Sequence, residues 1–357
     1  MKTPRAEISI NGRPVASIFN ERLISVTIVD KEGVTSDTIS CELNDGSPFA
    51  EIPRKGDIIS ARLGYQETGV LDFGAYTADD PEVQCLPYKM TVNGKGTDMR
   101  ETLKQHGARH WDKKTVKDIV SDIAKDQGLT AKVDGKVGGY TYEWFGQEDE
   151  SNIHVLERLA RRHDALFSIK NGNLIFAAKG SGQSVSGTAL TPVIASPANI
   201  VRETCKVQFA NRNSFAKVKA HAQNRKTAAR DEVEEESDSN GEADFTLAEP
   251  FADKDEAKRA AGAKAKDLKA QTIRTSVTLY GDPSIRAGAP LIYAGVRPQV
   301  DGIEFIIETA THTLSKSGYT TAVEAKLGGK GEAGAKSGSG ATAKSGTSID
   351  WEKELNG

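Results

Sequence analysis

The side chains that could do chemistry are few, and the histidines come first. His106 and His110 stand four apart, a spacing that can bring two imidazoles to one helix face and begin a metal site. No Glu follows His106 as in a zinc-protease helix, and Gly107 weakens any helix there. The expectation is surface or interdomain histidines and no metal. His154 and His163 are nine apart, on roughly opposite sides of an apolar helical stripe, which suits packing or solvent contact better than catalysis. Glu148, Asp149 and Glu150 cluster directly before that helix, where acids favour the helix dipole. Arg158, Arg161 and Arg162 form a basic patch that can pair with nearby acids or meet a partner subunit. Gly94-Lys95-Gly96-Thr97 lacks the spacing of a phosphate loop, and Gly338-Ser339-Gly340 sits in low complexity rather than in a nucleophile elbow. No nucleophile, base and oxyanion set assembles. The expectation is therefore no enzyme, no catalytic residue and no cofactor.

The elements that would position these residues can be read from periodicity. Ile24, Val26 and Ile28, and then Ile39, Cys41 and Leu43, alternate with polar residues. Period two means strands with one buried face, as in a small barrel or sandwich. Near Trp111 the texture changes. Val116, Ile119, Val120 and Ile123 fall at helical spacing, Thr115 with Asp118 resembles a capping box, and Gly128 offers a stop. A second helix is expected from Ser151 to about His163, with Ile153, Leu156, Leu159 and Ala160 on one face. Leu166 to Ile169 and Leu174 to Ala177 flank Asn171-Gly172, a hairpin signal. Of the tryptophans, Trp144 is placed inside the core of this module. Strand texture returns at Val207-Gln208-Phe209. The acidic run Asp231 to Asp238 reads as a solvated loop or, alternatively, a dock for a basic partner. Asp253 to Gln271 reads as a surface helix, and strands resume from Ser276 to about Lys326.

Composition narrows the classes. A chain of 357 residues with 37% hydrophobic residues is long enough for two or three domains with buried cores. Net charge is −3, from 47 basic and 50 acidic residues, which argues against coating nucleic acid or an anionic membrane. Cys41, Cys85 and Cys205 are far apart and make no Cys-x-x-Cys pair, so free thiols in a reducing compartment are expected. No run approaches the ~18 apolar residues of a membrane helix. The opening residues Met1 to Glu7 hold no apolar stretch for a signal peptide, so synthesis and folding in a cytoplasm are expected.

Two features remain. Gly56 to Phe73 and Gly288 to Phe305 have the same spacing of 17, followed by Phe73-x-x-x-Thr77-Ala78 and Phe305-x-x-x-Thr309-Ala310. Tyr88-x-x-x-Val92 and Tyr319-x-x-x-Val323 come after. This suggests an internal duplication. Three chains would then present six similar faces and mate with a sixfold ring. The second feature is the end of the chain. Gly328 to Ser348 has no large apolar residue, yet Ile349, Trp351 and Leu355 follow. Residues 328–348 read as a flexible linker and 349–357 as a docking peptide, with Trp351 and Leu355 at i, i+4 on a short induced helix. A disordered tail is the alternative.

A series of motifs in the middle is more specific than any single one. It runs from Ile52-Pro53-Arg54-Lys55-Gly56-Asp57 through Leu63-Gly64-Tyr65, Gly74-Ala75-Tyr76-Thr77 and Gly96-Thr97-Asp98-Met99-Arg100 to Trp111. It continues with Glu150-Ser151, Leu156-Glu157-Arg158-Leu159-Ala160-Arg161-Arg162-His163 and Asn173-Leu174-Ile175-Phe176. The series resembles the late control gene D proteins of contractile-tailed phages, relatives of the baseplate hubs of phage tails and of type VI and other contractile injection systems. The similarity is strong from about Ser36 to Gly180 and weaker to about Lys326. Asp164 stands where that family more often has Gly.

The resemblance implies a mainly β fold with an α/β insert, two similar β-barrel domains flanking a small α/β module, assembling as a trimeric hub. The expected parts are a first barrel at 1–108, the module at 109–180, and a second barrel at 181–327 carrying the acidic loop and surface helix. The linker and docking peptide complete the chain. The implied work is structural: joining the sixfold tail tube to the threefold central spike in a phage tail or tailocin. Implied partners are two further copies, the tube or tube-initiator protein, the spike and other baseplate proteins, with no nucleic acid and no membrane span. The implied place is the tail baseplate of a virion or phage-like particle. A tail-borne module that binds or cleaves cell wall is the alternative.

Overall fold

Alternating buried side chains dominate the computed structural model, which describes residues 2–14, 22–33, 37–96, 101–170, 172–180, 190–210, 214–223, 230–238 and 241–328. The first half of the chain forms β1 (Pro4–Ile10), β2 (Arg13–Pro14), β3 (Leu23–Lys31), β4 (Thr38–Asn44), β5 (Ile58–Tyr65), β6 (Gly69–Cys85) and β7 (Tyr88–Gly96). On β4 the period-two reading is correct: Ile39, Cys41 and Leu43 are buried. On β3 it needs one correction. Leu23, Val26 and Ile28 face the core while Ile24 is exposed. A register shift between Leu23 and Ser25 marks a bulge, and one extra residue reverses which side chains point inward.

A helical module follows. It contains a 3-10 turn (Glu101–Lys104), β8 (His106–Thr115), α1 (Val116–Asp126), β9 (Thr130–Val133), α2 (Gly135–Gly138), β10 (Thr141–Ser151), α3 (Asn152–Arg162), β11 (Ala165–Lys170) and β12 (Asn173–Ala178). The capping box forms as read: the Asp118 N–H donates to Thr115 Oγ1 at 3.1 Å, and the Thr115 N–H donates to Asp118 Oδ2 at 3.0 Å. Ser151 caps α3. Val155, Leu156 and Leu159 of α3 are fully buried in one cluster with Phe145, Phe167 and Phe176. Each such side chain contributes about 1.5–3 kcal/mol. The hairpin β11–β12 is present, although Asn171 lies outside the described residues. Asp164 has φ +52°, a left-handed turn that Gly adopts freely and Asp tolerates. Its carboxylate also accepts from Lys266 Nζ at 2.6 Å.

The second half opens with β13 (Val193–Ala195) and β14 (Lys206–Phe209). An insert of β15 (Phe215–Gln223), β16 (Arg230–Glu236), β17 (Ala243–Phe251) and α4 (Lys254–Ala270) comes next. The half ends with β18 (Ile273–Tyr280), β19 (Pro290–Tyr293), β20 (Glu304–Ser315) and β21 (Gly318–Leu327). The insert corrects two expectations. The acidic run is not a loop, because Arg230–Glu236 pairs antiparallel with β15 over seven residues. Lys217 and Lys219 of β15 flank Glu234, and Lys254 reaches Asp231, so neighbouring elements supply the countercharge. Nor is α4 merely a surface helix. Ala257, Ala261, Ala265 and Leu268 pack on Val218, Ala220 and Ala222 of β15 as a core of their own.

Sheet order reveals the duplication. One hydrogen-bonded path runs β14-β18-β21-β20-β3-β4-β7-β6-β5-β1-β2, with β19 joined to β20 and β13 to β19. The halves are thus joined by the β3–β20 ladder within one hydrogen-bonded sheet, while each keeps a core of its own. Within the path, β3-β4-β7-β6-β5 has the same connectivity as β14-β18-β21-β20-β19. Gly56 and Gly288 are equivalent. Both have positive φ and lie just before a strand, and each donates to the strand that pairs with it: Gly56 N to Ala78 O of β6 (3.0 Å) and Gly288 N to Ile307 O of β20 (2.7 Å). The matching of Phe73 with Phe305 is off by three residues. Phe305 faces Leu291, three after Gly288, as Tyr76 faces Ile59, three after Gly56. The first copy is three residues longer between these partners, and a bulge between Ser60 and Arg62 holds one of the three. Tyr88 and Val92 do match Tyr319 and Val323, since Gly96 faces Tyr76 and Leu327 faces Phe305.

Candidate functional site

The residues that first suggested chemistry do not converge. His106 and His110 lie on strand β8, not on a helix. His106 Nδ1 sits 2.7 Å from the Asp149 carbonyl, and His110 sits 3.4 Å from Asp112. The His106 ring is 6.5 Å from that of exposed His154. Among the described residues, no group of three or more His, Cys, Asp or Glu is placed to hold a metal. His163 is buried with Nε2 2.8 Å from the Tyr142 hydroxyl. Burial, aided by Arg259 and Arg162, pushes its pKa down to about 4, so the ring is neutral and structural. The tryptophans exchange roles against expectation: Trp111 is only 5% exposed in the module core, whereas Trp144 is 41% exposed. The Trp144 indole lies over Gly146, where any Cβ would meet the ring at 2.4 Å.

The basic patch on α3 builds a junction. Arg158 pairs with Glu150. Arg161 reaches Glu249 of β17 at 2.9 Å, and Arg162 Nη1 donates to Glu256 of α4 at 2.7 Å. Glu256 is buried and also accepts from the Ala252 N–H at 3.1 Å. Tyr140 donates to Asp253 at 2.7 Å, and Lys179 to Asp267 at 3.0 Å. These contacts hold the helical module against the insert.

A second junction joins the two β halves. Seven residue pairs link β3 and β20, from Ser25 with Ser315 to Lys31 with Thr309. A polar cluster is buried beside them. His312 Nε2 lies 3.1 Å from the Ile285 carbonyl, which can only accept, so Nε2 carries the proton and Nδ1 accepts from Tyr319 at 2.9 Å. Asp30 accepts from the Ala287 N–H at 3.0 Å, and Tyr65 donates to the Gly281 carbonyl at 2.6 Å. Arg286 covers the Phe73 ring at 4.0 Å.

Outward, the molecule presents a groove, exposed apolar side chains and open strand edges. A groove of about 740 Å³ between the halves is lined by exposed Leu71, Ile194 and Tyr280. Among the strand edges left open in the large sheet are the far end of β6 and β14. β5 leaves β6 after Thr77, so the far end of β6 bonds only to β7, and β14 bonds only to β18. Val83 on the first edge is 39% exposed, and Phe209 on the second is 59% exposed. Sequence reading missed both edges, although the duplication it noticed was the signal that leads to them. Ile349, Trp351 and Leu355, the expected docking residues, lie outside the described residues, as does the linker beyond Gly328.

Residues 68–318 match the family described as "Phage tail baseplate hub (GPD)". The chain is 29% identical to a probable baseplate hub protein of Escherichia phage 186 over 363 residues, covering 91% of this chain and 93% of that one. In fold it is similar to a 43 kDa tail protein of prophage MuSo2 from Shewanella oneidensis, with a TM-score of 0.68 and 15% identity over 91% of this chain and 98% of that chain. It is also similar to an E. coli component of the type VI secretion system, with a TM-score of 0.52 and 12% identity over 90% of this chain and 76% of that chain.

Proposed function

The chain belongs to the phage tail baseplate hub (GPD) family, and from that premise we propose that it joins the sixfold tail tube to the threefold central spike of a contractile tail or tailocin. The observation that supports this most is the repeated strand order of the two halves. Three chains, each with two equivalent halves, present six like faces to the tube and three whole chains to the spike. A continuous sheet suits the task, because a hydrogen-bonded ladder resists shear along its whole length.

The proposal includes a homotrimer in the baseplate of a virion or phage-like particle, made in the cytoplasm of the bacterial host. The tube or tube-initiator protein, the spike and other baseplate proteins are its partners. Nucleic acid, membrane insertion and catalysis are not part of it. Residues 349–357 are proposed, from sequence alone, to dock through Trp351 on a spike or baseplate component.

Light scattering coupled to size exclusion, on the chain alone and with its spike, tests the reading. A trimer is expected, and a monomer under both conditions overturns it. Peptidoglycan should remain intact in a lytic assay; cleavage would favour the wall-cleaving alternative. Deleting 349–357 should leave a trimer but impair particle assembly, and normal particles from that deletion would reject the docking peptide.

A further inference from the structure

The duplicated strand order assigns a partner to two of the open edges, the far end of β6 and β14. β6 is the counterpart of β20, and β14 is the counterpart of β3. Inside the chain, β20 pairs first with β19 and then, along its second part, with β3. β6 pairs first with β5, and its second part is open. β3 lies between β4 and β20, whereas β14 has only β18. The two vacant edges are thus the counterparts of the two that meet at the internal junction. We propose that β14 of a second copy adds antiparallel to the Glu82–Cys85 edge of β6, head to tail. This rests on the trimer reading above and specifies its interface.

The internal junction also dictates the register. Glu82 faces Thr91, and Thr311 faces Ala322, the counterpart of Thr91, so Val83 corresponds to His312. Ser40 faces Asn93 and Thr27, while Ser276 faces Glu324 and Lys206, so Val207 corresponds to Ile28. His312 faces Ile28. Val83 therefore meets Val207 of the next copy. Glu82 then meets Gln208, Gln84 meets Lys206, and Cys85 meets Cys205.

Chemistry supports this register independently. Val83 and Cys85 share one strand face with Val207 and Cys205 of the next copy, and Phe209 extends that apolar face beside Pro81. Glu82, Gln84, Lys206 and Gln208 share the other, with Glu82 diagonal to Lys206. A slip of one residue would set apolar against polar along the whole contact. Pro81, with no N–H to donate, closes the ladder at one end. Addition covers the exposed Val83 and Phe209 side chains. A head-to-tail contact of this kind is heterologous, and three copies close it into a ring when each contact turns the chain by one third of a circle.

The native thiols test it directly. Cys85 is exposed and Cys205 half-buried, while Cys41 is buried and its pKa pushed up to about 12, out of the reaction. Directly opposed residues in an antiparallel ladder have Cα atoms about 4.5–5.5 Å apart, within disulfide reach. Copper-phenanthroline, which removes two electrons and two protons from a thiol pair, should convert the trimeric full-length chain into reducible covalent dimers and trimers. A short bismaleimide should do the same irreversibly. Cys85→Ser and Cys205→Ser should each abolish the cross-link. Co-assembling the two variants should restore dimers alone, because only one variant supplies each thiol. Val83→Pro, which removes an edge N–H, should lose the trimer while keeping the folded monomer. A trimer by light scattering that joins Cys85 to Cys205 with neither reagent overturns this interface and leaves the hub reading standing. A persistent monomer, with and without the spike, overturns both.

Discussion

The junction between the β halves and the junction between the helical module and the insert are built on different physics. The first is a backbone ladder of seven pairs, backed by a buried polar cluster around His312 and Tyr319. The second shares no strand. It depends on side chains, chiefly the Arg162–Glu256 pair and its more exposed neighbours. A ladder fixes register residue by residue and cannot slide without losing every bond, whereas ion pairs tolerate small rearrangements at modest cost.

The largest test of this contrast is Arg162→Ala. It leaves the Glu256 carboxylate buried without its partner, and a loss of about 3–5 kcal/mol is expected in urea unfolding. Replacing Glu256 by Gln in the same chain should recover a large part of it. A loss below 1 kcal/mol would mean the helical junction is not anchored where the geometry places it.

Acid provides the next largest effect. Burial, with Arg286 nearby, pushes the His312 pKa down to about 4, even though Ile285, Asp30 and Asp282 work the other way. The unfolded chain takes up a proton near pH 6.5. Its contribution is therefore complete above that value and is lost as pH falls towards 4, a change of order 3 kcal/mol. His312→Gln should flatten the dependence of the urea midpoint on pH over that window. His163→Gln should flatten it as well, through the module core, because burial lowers that group to about 4. An unchanged slope in both variants would refute the assignment of neutral buried rings.

Smaller effects separate the junctions further. Tyr65→Phe removes one hydrogen bond to the Gly281 carbonyl and should cost about 0.5–1.5 kcal/mol, independent of salt. Arg161→Ala removes an exposed pair with Glu249. It should cost about 0.2–1 kcal/mol at low salt, and less as salt rises. Equal salt sensitivity of the two variants would erase the distinction between the junctions.

Much of this could be read in advance wherever the cause was local. The Thr115 and Asp118 cap, the α3 stripe and the alternation on β4 depend on residues a few positions apart. The open edges were harder. Val83 and Phe209 have nothing unusual about them in sequence, and they gain meaning only when the pairing order shows which edges stay open.

By itself, then, the sequence determined the periodic elements, their caps and turns, and the presence of a duplicated Gly-to-strand pattern. Those follow from backbone preference and spacing over a few residues. Tertiary structure alone decided that the acidic segment is a strand, because Lys217, Lys219 and Lys254 arrive from other elements to neutralise it. It decided that Trp111 and not Trp144 is buried, because burial depends on which face of the β8–β10 ribbon meets the helices. It also decided that Tyr76 and not Phe73 matches Phe305, because the connection from Ile59 to its partner is three residues longer than that from Leu291, which only the pairing shows. In each case the deciding contact joins residues far apart in the chain, and short-range periodicity carries no information about it.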